Sequence, residues 1–128
     1  MTVRDASDVS AVIIDHLLAG STGGTLHGNG YVKDVSGHFA VGGVVPSFTI
    51  KLPAGVNEDN VHIVGQVLYD FVYSKHVPGS HIGFWLDDGI LHVDIVNLLT
   101  DREEAIKLGK ERGEIAIFDG TTSEDIRL

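Results

Sequence analysis

Apolar and polar positions alternate or recur along this chain in a way that predicts most of its elements. Val9, Val12, Ile13 and Leu17 recur at helical spacing, and Ile14 and Leu18 widen the stripe. Ser7 can cap a helix over about 8–19, closed by Gly20. Twelve residues are barely helical in isolation, so this helix needs a surface to pack on, in its own domain or on a second subunit. The next eleven residues, GSTGGTLHGNG, hold five glycines and read as a mobile connector. Strands are then predicted over 31–35, 38–45 and 47–52. In the last of these Phe48, Ile50 and Leu52 face one way and Ser47, Thr49 and Lys51 the other. Pro46 cannot donate to a ladder and should sit at a bend or an edge. Asn57 should cap a helix over 58–76, with Val61, Val64, Leu68, Phe71 and Val72 as its buried stripe, stopped by Pro78-Gly79.

Residues 81–128 carry the clearest pattern. Asp88-Gly89 between alternating flanks is a type I′ hairpin signal, and a two-residue loop sets the register. Leu86 then opposes Leu91, Phe84 opposes Val93, and Ile82 opposes Ile95, which makes one apolar face. The other face pairs Trp85 with His92 and Gly83 with Asp94. Thr100 opens a last helix to about Arg112 through a capping box with Glu103. Strands over 115–118 and 125–128 follow, separated by the Asp119-Gly120 turn. The strand after the helix could run parallel to the second hairpin strand through a crossover. The expected fold is α+β: a single small domain with a mixed, mostly antiparallel sheet, two helices packed on one face and an appended N-terminal helix. The division falls into residues 1–29, helix and connector, and residues 30–128, the α+β domain.

Composition narrows the chemistry. A chain of 128 residues without cysteine has no disulfide, thiolate metal site or cysteine nucleophile. This fits a reducing cytoplasm, the expected location. A net charge of −9, spread along the chain, keeps the surface solvated and disfavours binding to a phosphate backbone. No apolar run reaches the length of a membrane span, and VSAVIIDHLLAG lacks the basic leader of a signal peptide. The expected partners are therefore another protein or a second copy, with no nucleic acid and no membrane.

Trp85, His92 and Asp94 are the candidate binding residues, since an aromatic, an imidazole and a carboxylate on one sheet face resemble the anchors of binding surfaces. The competing reading is that this face is covered and Asp94 merely satisfies His92. The seven histidines include no HxH or HExxH pair, so no metal is expected. GSTGGTLHG lacks the Gly-Lys-Ser/Thr ending of a phosphate loop, and GxGxxG and GxSxG are absent. Asp87-Asp88 belongs to the turn. Asp15-His16 and His92/Asp94 could each form an acid–base pair, yet spacing ties no serine to either. No catalytic residue and no cofactor follows from the sequence.

The segment GFWLDDGILHVDIV…DREEAIKLGKERGEIAIFDG…EDIRL resembles a pattern in small uncharacterised proteins of actinobacteria and their phages. It covers residues 81–128 and extends weakly back to Tyr31. The resemblance implies a phage or prophage accessory protein and attaches no activity to it. The favoured expectation is a non-enzymatic protein that binds a macromolecular partner. The alternatives are a small enzyme or nucleotide-binding protein with a His92/Asp94 site, and a homo-oligomeric structural protein assembled through the N-terminal helix.

Overall fold

The computed structural model describes all 128 residues. The chain forms α1 (Val3–Leu18), β1 (Gly23–Leu26), β2 (Phe39–Val41), β3 (Phe48–Lys51), α2 (Val61–Lys75), β4 (His81–Asp87), β5 (Ile90–Leu99), α3 (Arg102–Glu111), β6 (Ala116–Asp119) and β7 (Glu124–Arg127). The fold is a small α+β domain of three helices on one seven-stranded sheet.

The sheet order is β1-β4-β5-β2-β6-β7, with β3 also on β5. Ten residues make β5 long enough to hold two partners along one edge. Phe48 to Lys51 lie against its first half, and Phe39 to Val41 against its end. Between them the chain spends six residues, Gly42 to Ser47, where β5 spends three, Asp94 to Val96. The surplus bulges out around Gly42, Gly43 and the predicted bend at Pro46. All hydrogen-bonded neighbours are antiparallel. β6 does run in the same direction as β5, since both oppose β2, but β2 lies between them, so the expected parallel pair is absent.

The hairpin has the predicted register, Leu86 on Leu91 through Ile82 on Ile95. Asp88 and Gly89 take φ of 48° and 72°, as a type I′ turn requires. Alternation along β5 puts Leu91, Val93, Ile95 and Leu99 on one face. The first three belong to a thirteen-residue core under α1 and α2. Leu99 packs on a smaller cluster of Val41, Ala105 and Ile117 under α3. All three helices thus cover the same face, and the other is left without a helix.

The N-terminal helix is no appendage. Val9 and Ile13 are fully buried among Leu26, Leu68, Ile82 and Phe84. It starts earlier than Ser7, because Thr2 and Asp5 form a reciprocal capping box, and the added turns bury Ala6. Nor is the glycine-rich stretch a linker, for Gly23 to Leu26 pair with β4. Tyr31–Val35 keeps only a bridge between Val32 and Leu26. The chain then leaves the sheet edge as a strap. The α2 cap falls on Asn60 instead of Asn57, whose side chain accepts from the amides of Asp59 and Asn60. Asp101, one residue past Thr100, caps α3.

Candidate functional site

The open face of the hairpin brings together the three residues expected to bind. Trp85 lies directly opposite His92, and their rings stack with centroids 5.0 Å apart and planes 26° from parallel. On its other side Trp85 faces Gly23 of β1. No side chain can stand there, because a Cβ on Gly23 would lie 2.8 Å from the Phe84 carbonyl oxygen. Trp85 is therefore half exposed, at 50%. Large aromatics are mostly covered in folded proteins, and this one is presented.

Asp94 sits diagonally from Trp85, opposite Gly83. Its carboxylate accepts a hydrogen bond from the hydroxyl of Ser47, at the end of the bulge. His92 makes no hydrogen bond to Asp94 or Ser47, so a serine–histidine–aspartate relay is not assembled. The competing reading, in which Asp94 serves His92, is not what the structure contains.

Two further residues complete the site. Arg112, at the C-terminus of α3, donates to the carbonyls of Val41 and Gly42 at 3.3 and 3.0 Å and to Asn97 Oδ1 at 2.6 Å. These bonds tie the bulge to α3 and to β5. Glu114 follows just before β6, half-buried beside Gly42. A Cβ on Gly42 would meet Glu114 Oε1 at 2.6 Å and Asp94 Cγ at 3.7 Å, so glycine there leaves room for both carboxylates. Burial first, and the Asp94 carboxylate second, push the Glu114 carboxyl above its usual range, with Arg112 opposing. Glu114 makes no hydrogen bond through its side chain.

The concave face forms a cleft of about 940 Å³. Its floor includes Trp85, His92, Asp94, Val96 and Ala40, and one wall is the strap, Val32 to Ser36. The strap is held at one end by the Lys33 amide on the Thr25 carbonyl, at 2.9 Å. At the other end the Gly37 amide donates to Thr121 Oγ1 at 2.8 Å. Asp34, Asp94, Glu114 and Asp125 line the cleft against one lysine, Lys33. The only ion pair in the protein is the surface pair of Arg4 and Asp8, 3.9 Å apart. None of the cleft carboxylates is therefore neutralised by a cation of its own. No three side chains of metal-ligating type converge anywhere in the fold.

Glu114, Ser47 and the strap were not singled out from the sequence. The Gly42-Gly43 pair inside an apolar run is the local signal of a bulge. A charge directly before Ile115-Ala116-Ile117 was the only signal for Glu114. No protein-family model, curated protein or solved structure matches this chain.

Proposed function

We propose that this protein is a non-enzymatic accessory protein, of the phage or prophage type, that acts by binding another protein through the open face of its sheet. The observation that carries the reading is Trp85, half exposed and stacked on His92 at the floor of a wide cleft. An amphipathic aromatic with a rigid backing and no cover of its own is the usual anchor of a protein interface. The resemblance of residues 81–128 to small actinobacterial and phage proteins supports the accessory setting. The apolar stripe of α1 is spent inside its own core, which favours the sheet face over α1 as the contact surface. A second reading, a small-molecule pocket using His92 and Asp94, draws on the cleft volume, which falls within the roughly 300–1,000 Å³ of ligand pockets.

The test uses Trp85 as its own reporter, since it is the only tryptophan. A protein captured by the tagged chain is purified and returned to it at equal concentration. It should protect Trp85 from acrylamide quenching, and Trp85→Ala and His92→Ala should each weaken its binding at least tenfold. A captured protein that binds Trp85→Ala as well as the parent, with Trp85 still quenched in the complex, would sink the reading. Light scattering on the same samples distinguishes a foreign partner from a second copy.

A further inference from the structure

We infer that the open cleft takes an arginine side chain from an extended segment of the partner protein, with the guanidinium stacked on Trp85 and hydrogen-bonded to Asp94 and Glu114. The inference rests on the protein-binding reading of this face and names the chemistry of its occupant.

The charge of the cleft calls for a cation. Asp94 and Glu114 have no cation within ion-pair distance, and Glu114 lacks even a hydrogen bond. Arg112, whose charge only partly opposes the effect of burial on Glu114, is already committed through three donor contacts to Val41, Gly42 and Asn97. It is thus held as scaffold and makes no ion pair with either carboxylate. Lys33 belongs to the strap, whose backbone is tied to Thr25. An anion entering this cleft would meet four carboxylates, and a neutral ligand would leave them unpaired. A cation meets a site already charged to receive it.

Geometry selects arginine over other cations. Diagonal neighbours on a sheet face lie about 7–8 Å apart, close enough for the side chains of Trp85 and Asp94 to meet one bound group. A guanidinium is planar, stacks on an aromatic face and presents its donors in a fork. Those donors suit two carboxylates gathered over one glycine, since the space a Cβ on Gly42 would take lies within 4 Å of both Glu114 Oε1 and the Asp94 carboxylate. An ammonium ion is more strongly hydrated and has no flat face to lay on the indole. The strap allows an extended chain to pass beside the platform, and Gly23 and Gly83 offer no side chain to block it.

The test titrates the full-length protein with the peptide Ac-Gly-Gly-Arg-Gly-Gly-NH2 while following Trp85 emission. The same peptide with citrulline in place of arginine serves as the neutral isostere, and one with lysine as the second cation. The arginine peptide should change the emission saturably, at least tenfold more tightly than citrulline and several-fold more tightly than lysine. Glu114→Gln and Asp94→Asn should each remove most of that preference while leaving the thermal transition intact. Gly42→Ala, whose added methyl displaces the flexible end of Glu114, should do the same. Equal binding of arginine and citrulline peptides, or no saturable response to arginine, overturns the inference. The protein-binding reading is judged separately, because a partner that needs Trp85 but is indifferent to Glu114→Gln and Asp94→Asn would retain that reading and refute the arginine.

Discussion

A Cβ at position 24 would touch the Phe84 ring at 3.1 Å, just as one at position 23 would strike the Phe84 carbonyl. Two adjacent glycines therefore let β1 lie flat on β4, and the same absence of side chains opens Trp85 to solvent. A second residue-scale device lies at the far end of β4, where the rings of His81 and His27 meet at a tilt of 53°, centroids 5.0 Å apart. The Nδ1 atoms of His81 and neighbouring His76 are buried with no hydrogen-bond partner. Burial first, then the charges of His27, Lys33, His38 and His76, lower the His81 imidazole below its ordinary 6.5. The unfolded chain thus takes up this proton before the folded one. The stability His81 contributes is complete above 6.5 and is lost as pH falls through the lowered folded value. NMR titration should find His81 midway below 6.5, and His27→Gln should move it up; a midpoint at or above 6.5 in the parent protein would refute this account.

Elements differ in how far they could be read before the structure was known. The β4/β5 hairpin was legible residue by residue, because Asp88-Gly89 permits one loop length and six apolar positions agree on one register. Its open face, with Trp85, His92 and Asp94, was legible for the same reason. Ser47 and Glu114 were not, since the bulge and the α3–β6 junction that bring them to Asp94 depend on pairings far apart in sequence. Composition also misled: five glycines in eleven residues mark a linker when each is free, yet two of these are required by close strand contact. The same neglect of tertiary contact made α1 look detachable. Ile13 is fully buried, at 0% exposure, in one cluster with Val9, Leu68 and Ile82. Ile13→Ala should therefore cost about 2–5 kcal/mol, the range for a core isoleucine cut to alanine. Chemical denaturation measures it, and a loss under about 1 kcal/mol would return α1 to the status of a loosely docked element.

At the scale of the whole molecule, one face of the sheet is covered by helices and the other is left open. The helix-covered face gathers both apolar clusters, and the opposite face holds the cleft, its unpaired carboxylates and the exposed indole. Residues 1–29 take part in both. They supply α1 and β1, and with them Val9, Ile13 and Leu26 of the larger core. They also supply Gly23 beside Trp85, and Thr22 to Thr25 along the rim of the cleft. His16 meets the edge of Phe84 at 5.8 Å, so α1 reaches the strand that carries Trp85 directly. Removing these residues would expose Leu68, Ile82 and Phe84 and leave one edge of β4 unpaired. The truncated chain, residues 30–128, should lose its cooperative thermal transition and its near-ultraviolet dichroism, and should bind a hydrophobic dye, as compact states without fixed packing do. Far-ultraviolet dichroism would fall less, because α2, α3 and the hairpin keep their local signals. A truncated chain that melts sharply and gives a dispersed NMR spectrum would mean that the domain begins after the glycine-rich stretch. In that case the open face would survive without β1, and Trp85 would be more exposed in the fragment than in the whole protein.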